Sequence, residues 1–166
     1  MSLDRAQRRA LLGHPGGWIA CGFGSGLSPL APGTAGSLAA LLPWPLLREL
    51  PWPWYLVLLA LGFALGVWAA NVAMARLQRS DPGCVVIDEF VGQWLALLPL
   101  VFAPRGWPWL LAGFALFRLF DIWKPWPVSW ADRRVDGGLG VMLDDVIAGA
   151  YAALMLALAL YLSAPG

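Results

Sequence analysis

The sequence predicts an all-α integral membrane protein, a helical bundle of about five short transmembrane spans with a glycine-rich re-entrant or interfacial loop near its N-terminus. Apolar residues make up 60% of the 166 residues, and charged residues only 13%. Ordinary globular chains carry roughly 25% charged residues. The mean hydropathy is +0.67. Such a chain has too little polar surface for a soluble domain and too much apolar surface for a disordered one. By length, residues 1–166 are one domain.

The N-terminal segment, residues 1–16, is predicted to be a cytoplasmic tail. Arg5, Arg8 and Arg9 are basic, but the apolar run after them stops at Gly13, too early for a signal peptide. The formal net charge of +1, without a dense basic stretch, argues against nucleic-acid binding. Cys21 and Cys84 have no metal-binding spacing, so we expect buried, reduced thiols.

Five apolar segments are candidate spans, and they must be helical because backbone groups in lipid have to bond internally. The clearest one, residues 54–75, carries no charge and reaches the ~20 residues that a bilayer requires. The least certain one, residues 35–50, contains Pro43 and Pro45. The predicted spans are 35–50, 54–75, 85–102, 107–123 and 141–162.

The basic residues predict the orientation of these spans. With a cytoplasmic N-terminus and five crossings, eight basic residues fall inside: Arg5, Arg8, Arg9, Arg76, Arg79, Lys124, Arg133 and Arg134. Arg48 and Arg105 fall outside, and Arg118 lies within the fourth span. Cytoplasmic loops are enriched in Lys and Arg, so this split supports a multi-pass topology with the C-terminus outside.

The same topology brings acidic residues of three spans to one depth near the cytoplasmic interface. These acids are Asp88, Glu89, Asp121, Asp144 and Asp145. Ionisable groups inside spans are costly and usually functional. A Mg²⁺ ion would offset their mutual repulsion, since it prefers hard oxygen ligands. Neighbouring acids on a helix point about 100° apart, so we expect one of each adjacent pair to face the centre.

Basic residues and loop acids complete the predicted cytoplasmic side. Arg118 and Lys124 lie near the same helix face as Asp121 and offset part of the negative charge. The loop acids Asp81, Asp132 and Asp136 are expected to face water. Two other interpretations of the embedded acids remain open: contact with headgroups and water, or a proton or ion pathway in a small non-catalytic carrier.

The glycine-rich segment 22–37 is a candidate phosphate-binding loop on the same side. Its glycines allow close backbone approach, and its N–H groups are able to form an anion-binding nest. The predicted phosphate ligands here are Ser28, Gly33, Thr34 and Ser37, with Thr34 or Ser37 capping the next helix. Arg118, Lys124, Arg133 and Arg134 are the basic candidates. The alternative is a loop that packs closely and binds nothing.

A phosphate-binding loop beside a carboxylate–metal cluster at headgroup depth indicates phosphoryl chemistry on a lipid. His14 is the only histidine and lies outside the cluster, so a histidine nucleophile is excluded. The spaced aspartates of CDP-alcohol phosphotransferases are also absent, since Asp136-Gly137 is followed by Gly138-Leu139.

Three blocks of the sequence together resemble the phosphatidylglycerophosphatase A family. They are residues 28–37, residues 86–92, and residues 117–125 continuing to 137–149. The resemblance implies a Mg²⁺-dependent enzyme of the bacterial inner (cytoplasmic) membrane. Such an enzyme would hydrolyse phosphatidylglycerophosphate to phosphatidylglycerol and inorganic phosphate, with the active site facing the cytoplasm. Its partners would be the phospholipid and the bilayer, and the oligomeric state stays open.

On this resemblance, the expected catalytic residues are Asp88, Glu89, Asp121, Lys124, Asp144 and Asp145, and the expected Mg²⁺ ligands are Asp88 and/or Glu89, Asp121, and Asp144 and/or Asp145. Arg118 and Lys124 would stabilise phosphoryl oxygens, although Arg118 has the alternative of an ion pair with Asp121. A metal-positioned water or an attacking aspartate would each account for hydrolysis, and the sequence does not separate the two.

Overall fold

The protein is helical throughout the part of the chain that the structure, a computed structural model, describes: residues 3–80 and 82–163. Asp81 lies outside these residues. The first part contains α1 (Arg5–Leu12), α2 (Pro15–Ala20), a 3-10 helix (Gly22–Leu27), α3 (Pro32–Ala39) and α4 (Trp44–Leu47). The rest contains α5 (Trp52–Leu77), α6 (Ile87–Ala96), α7 (Leu98–Phe102), α8 (Trp107–Trp123), α9 (Val128–Arg134) and α10 (Gly137–Leu162). The all-α prediction is confirmed.

Two helices, α5 and α10, are long and apolar enough to cross a membrane. Each has 26 residues, which corresponds to about 39 Å at 1.5 Å per residue. Helix α8 has 17 residues, and α6 is separated from α7 at Leu97, just before Pro99. Only part of the five-span prediction is therefore confirmed.

The predicted first span, residues 35–50, does not form one helix. It is divided between α3 and the four-residue α4, which begins directly after Pro43 and has Pro45 in its first turn. Neither proline has an N–H group with which to continue the hydrogen bonds of α3. The broken segment nevertheless descends alongside α6. The Trp94 indole N–H donates to the Ala40 carbonyl at 2.8 Å, and the Tyr55 hydroxyl donates to the Trp94 carbonyl at 2.7 Å.

The four longest helical segments alternate in direction. The Gly138 N–H at the start of α10 donates to Asn71 Oδ1 near the end of α5, at 2.8 Å. Lys124, directly after α8, reaches Asp144 near the start of α10. The first turn of α6 also lies against the first part of α10. The ends of four elements therefore meet at one end of the bundle, and these ends carry the embedded acids.

Glycines permit the close approach of α6 and α10 that brings their acids together. A Cβ atom at Gly149 would lie 2.5 Å from the Gly92 carbonyl oxygen. A Cβ atom at Gly92 would lie 2.8 Å from the Asp145 carbonyl oxygen. Real Cβ atoms do not approach other heavy atoms this closely, so larger side chains here would push the two helices apart.

The N-terminal segment is more ordered than a simple tail. Asp4 forms a capping box with Gln7 at the start of α1. The Arg76 guanidinium donates to the Ala10 carbonyl at 2.9 Å, and Leu11 is fully buried. Helix α1 is thereby fixed to the end of α5, next to the acidic end of the bundle.

Both cysteines are buried and neither forms a disulfide, as predicted. The thiols of Cys21 and Cys84 contact each other although the two residues are far apart in the chain. The hydrogen bond with Cys84, together with burial, raises the pKa of the Cys21 thiol above its ordinary range. The contact joins the beginning of the glycine-rich loop to the segment that leads into α6.

Candidate active site

Three carboxylates, Asp88, Glu89 and Asp145, form a compact group that we call the carboxylate trio. One oxygen of each lies within 4.8 Å of the others. Asp88 and Glu89 occupy the first turn of α6, where the helix dipole favours negative charge, and Asp145 comes from α10. The structure thus brings together acids from two of the three predicted spans.

The two adjacent acid pairs behave differently from each other. Both Asp88 and Glu89 belong to the trio, which the helical angle alone did not predict. Asp88 Oδ1 accepts a hydrogen bond from the Glu89 N–H at 3.0 Å. This hydrogen bond holds the Asp88 carboxylate at the N-terminal end of α6. In the second pair, Asp145 joins the trio while Asp144 pairs with Lys124. The prediction that one member of each pair faces the centre is therefore correct only for α10.

The trio fits a divalent metal ion. Glu89 Oε2 and Asp145 Oδ2 are buried and have no hydrogen-bond partner among the described residues. Burying a carboxylate without a counter-charge costs several kcal/mol. Carboxylate oxygens are the ligands that Mg²⁺ and Ca²⁺ prefer, so a hard cation would satisfy these atoms and neutralise their repulsion. No histidine or thiolate belongs to this donor set.

Next to the trio lies a group of ion pairs that we call the paired rim. Lys124 Nζ donates to Asp144 Oδ2 at 2.7 Å and also to Asp132. Burial lowers the pKa of Lys124, but its hydrogen bonds with Asp132 and Asp144 outweigh that effect and raise the pKa above its ordinary value. The ammonium group therefore stays charged at neutral pH. Asp132 was expected to face water. It is exposed, and it also forms an ion pair with Lys124.

The other part of the paired rim is Arg118 with Asp121. Their side chains are 15% and 14% exposed, and Arg118 Nη1 lies 2.7 Å from Asp121 Oδ2. The ion pair foreseen as an alternative for Arg118 is therefore present. Arg118 Nη1 also donates to Ser37 Oγ at 3.2 Å, while its Nε is buried without a described partner. The Asp121 carboxyl contacts Asp145, which connects the rim to the trio.

The glycine-rich loop reaches the site at Gly33. A Cβ atom there would collide with Glu89 Oε1 and would approach both terminal nitrogens of Arg118 at 3.4 Å. The prediction that Thr34 or Ser37 caps the following helix is wrong, because both lie inside α3. The helix begins instead at Pro32, whose ring favours a first-turn position, after Ala31 in a left-handed conformation.

The hydroxyl groups predicted to bind phosphate, those of Ser28, Thr34 and Ser37, do not lie together in the structure. Ser37 Oγ donates to the Gly33 carbonyl at 2.9 Å and accepts from Arg118, so it fixes the loop to the paired rim. Ser28 Oγ donates to the Leu30 carbonyl at 2.7 Å and lies in a different cavity. Thr34 is half-buried within α3.

A cavity of about 600 Å³, the site cavity, opens onto these groups. Its walls include the trio, Gly33, Lys124, and the carboxylates Asp121, Asp132, Asp136 and Asp144. Arg133 and Arg134 lie at the exposed end of α9, and neither is among the residues of the wall. The site cavity therefore combines a strongly anionic interior with a lysine at its edge.

Sequence reasoning missed Gln93. It is fully buried one turn after Glu89, and within the described structure neither atom of its amide group has a hydrogen-bond partner. Its spacing of four residues from Glu89 would have placed it on the same helix face. The sequence signal for Gln93 was a polar residue in an apolar helix, one turn after an acid.

Comparisons with known proteins agree with this geometry. Residues 18–160 match the sequence model of the family described as phosphatidylglycerophosphatase A. The chain belongs to the phosphatidylglycerophosphatase A family. It is therefore an enzyme with phosphatase chemistry, and the carrier interpretation is not favoured.

Several relatives carry related names. A phosphatidylglycerophosphatase A of Escherichia coli is 44% identical over 92% of this chain and 88% of that protein. One of Haemophilus influenzae is 40% identical over 94% of this chain and 95% of that protein. A Bacteroides thetaiotaomicron protein, provisionally named a phosphatidylinositol-3-phosphatase, is 44% identical over 85% of this chain and 91% of that protein. No solved structure matches the chain.

Proposed function

We propose that this member of the phosphatidylglycerophosphatase A family removes the terminal phosphate of phosphatidylglycerophosphate, in a reaction that requires Mg²⁺. The observation that carries the proposal is the carboxylate trio with its unpartnered buried oxygens, beside a charged lysine in one cavity. Two relatives at 40–44% identity are named for this substrate. The product would be phosphatidylglycerol, which places the reaction in phospholipid biosynthesis.

The metal ligands in this proposal are Asp88, Glu89 and Asp145, with Asp121 and Asp144 next to them. When bound, Mg²⁺ would polarise the phosphoryl oxygens and lower the pKa of a coordinated water. The trio's part is to hold the cation with little reorganisation, because helix packing through Gly92 and Gly149 fixes the carboxylates beforehand.

The basic residues would hold the phosphoryl group. Lys124 keeps its charge through Asp132 and Asp144, and its position at the wall of the site cavity allows it to donate to an equatorial phosphoryl oxygen. Arg118 is held by Asp121 and Ser37, so its role in this proposal is to position the glycine-rich loop and the neighbouring carboxylate. The absence of a side chain at Gly33 lets the glycine-rich loop lie directly against Glu89 Oε1 and the Arg118 guanidinium.

We further propose that the site faces the cytoplasm of a bacterial inner membrane, with five passes. The broken segment 32–50 supports a first pass, because it accompanies α6 from the depth of Gly33 to that of Trp94. The antiparallel arrangement of α5 and α8 against α6 and α10 supports the remaining passes. A reporter fused at the C-terminus is then expected outside, and one inserted in the loop 124–127 inside. A cytoplasmic C-terminus would contradict the five-pass topology.

The experiment that tests the activity measures phosphate release by the purified protein in detergent micelles. Phosphatidylglycerophosphate and phosphatidylinositol 3-phosphate are each supplied with Mg²⁺, with Ca²⁺ and with a chelator. We expect Mg²⁺-dependent release that is faster from phosphatidylglycerophosphate. Release that continues in chelator would overturn the metal requirement, and preference for the inositol lipid would overturn the substrate. Incorporation of ¹⁸O from water in a single turnover, with trapping of any phosphoenzyme, distinguishes water attack from an aspartyl-phosphate.

A further inference from the structure

A second cavity, of about 580 Å³, lies beside the site cavity and has a different charge. We call it the arginine cavity, because Arg8 of α1 and Arg79, just after α5, are the charged side chains among its described wall residues. Gly26, Ser28 and Pro32 of the glycine-rich loop form another part of its wall. No carboxylate belongs to the described wall, in contrast to the site cavity.

The two arginines have no counter-charge within residues 3–80 and 82–163. The ion pairs in that part of the chain involve Arg48, Arg118 and Lys124 only. Arg76, by comparison, is held by the Ala10 carbonyl. Arg79 is half-buried and Arg8 is exposed, and both line a cavity whose described wall contains no acid. Two guanidinium groups at one cavity are suited to bind a phosphate.

The arginine cavity adjoins the site cavity. Gly83 belongs to the walls of both, and a Cβ atom built at Gly83 would meet nothing within 4 Å. Pro32 lines the arginine cavity while the next residue, Gly33, lines the site cavity. Two anionic groups joined by a short linker are thus able to occupy the two cavities at the same time, across a boundary at which Gly83 carries no side chain.

We propose that the arginine cavity is a second phosphate site, in which Arg8 and Arg79 bind the phosphodiester of the lipid while its terminal phosphate lies in the site cavity. This inference rests on the proposed function, because phosphatidylglycerophosphate carries a monoester and a diester joined by glycerol. It assigns substrate recognition to residues outside the carboxylate–lysine centre. The enzyme would thereby prefer lipids with two phosphates to a lipid with a monoester alone.

The experiment compares phosphatidylglycerophosphate with phosphatidic acid, which has the terminal monoester but no diester. The variants are Arg8→Gln, Arg79→Gln and the double variant, assayed with Mg²⁺ in micelles of neutral detergent. We expect each single variant to lower the ratio of kcat/KM for phosphatidylglycerophosphate to that for phosphatidic acid about tenfold. The change should come mainly from KM, and Arg79→Lys should recover part of it.

Arg5→Gln is the matched control, since it removes the same charge from the same helix outside the cavity. An equal loss in Arg5→Gln would show a general electrostatic effect and would overturn the assignment. An unchanged ratio in the double variant, with unchanged thermal stability, would also overturn it. An equal fall for both substrates, reversed by added phosphatidylglycerol, would assign the cavity to a separate anionic lipid instead. Failure of the proposed function would appear differently, as wild-type protein that releases no phosphate from phosphatidylglycerophosphate.

Discussion

The carboxylate trio and the paired rim both contain buried acids, but only the acids of the rim have basic partners. In the rim, each acid has a basic partner at hydrogen-bond distance: Asp121 with Arg118, and Asp132 and Asp144 with Lys124. In the trio, three acids lie within 4.8 Å of one another, and two of their buried oxygens have no described partner. The two basic residues of the rim offset all but one of its three carboxylate charges, whereas the trio contains no basic residue.

This difference indicates two roles for the acids of the site, cation binding in the trio and orientation of basic side chains in the rim. A site with unbalanced buried charge gains stability when a cation binds, because the cation relieves both repulsion and desolvation. A balanced ion pair gains little from a cation and serves instead to orient its members. We therefore expect substitutions in the trio to change metal dependence, and substitutions in the rim to change substrate turnover at unchanged metal dependence.

The largest effect is expected for Asp145→Asn in the trio. Turnover should fall by roughly three orders of magnitude, since metal-assisted charge stabilisation contributes several kcal/mol and each ~1.4 kcal/mol is tenfold. Residual activity should need more Mg²⁺. The thermal stability of the metal-free protein should stay constant or rise, because one repelling charge is gone. Phosphate release titrated with Mg²⁺ measures this, with the exposed Glu49→Gln as control. Normal turnover at ordinary Mg²⁺ would remove Asp145 from the metal site.

The next largest effect is expected for Lys124→Gln in the rim. It leaves Asp144 buried without its cation and removes a donor for the phosphoryl group. We expect kcat to fall about a hundredfold, the magnitude typical of a lost charge-stabilising donor. Thermal stability should fall as well, since Asp144 loses its counter-charge. The Mg²⁺ concentration for half-maximal rate should change less than in Asp145→Asn. A larger shift in Mg²⁺ dependence than in Asp145→Asn would reverse the roles of trio and rim.

An intermediate effect is expected for Gly33→Ala, where the loop meets both regions. The added methyl group would collide with Glu89 Oε1 and crowd Arg118. A displacement of about 1 Å at a reacting centre is able to cost up to a hundredfold in rate, so we expect a fall of ten- to a hundredfold in kcat. Gly24→Ala is a neighbouring control for the added methyl, because a Cβ there meets nothing within 4 Å, although its positive φ adds strain. Equal activity of Gly33→Ala and wild type would leave the loop outside the site.

The smallest effect distinguishes the two loop hydroxyls. Ser37→Ala removes a hydrogen bond from Arg118 and one to the Gly33 carbonyl, so a loss of about fivefold in kcat/KM is expected, corresponding to about 1 kcal/mol. Thr34→Val should cost less, because no hydrogen bond of its hydroxyl is found within the described structure. Steady-state kinetics of the two variants, with insertion into membranes verified, measures the difference. A greater loss in Thr34→Val would point to a direct contact of that hydroxyl with phosphate.

The sequence predicted the grouping of acids better than it predicted the spans. Lys and Arg counts fixed alternating directions for the apolar segments, and those directions brought Asp88, Glu89, Asp144 and Asp145 to one end of the bundle. The segment 35–50 failed as a single helix because its prolines, visible in the sequence, broke it into pieces that are each too short to span alone. Hydropathy detects apolar length but not whether the hydrogen-bond ladder is continuous.

The sequence by itself determined the helical class and the embedded acids with Arg118 and Lys124, and the resemblance of its three blocks gave the family. Residue type and order along the chain carry this information, and they do not depend on how helices pack. Only the tertiary structure decided the partners: that Glu89 joins Asp88 in the trio, that Asp144 turns to Lys124, and that Asp132 holds the same lysine. The physical reason is that charge pairing depends on side-chain reach across helix contacts, here set by the approach of α6 and α10 at Gly92 and Gly149.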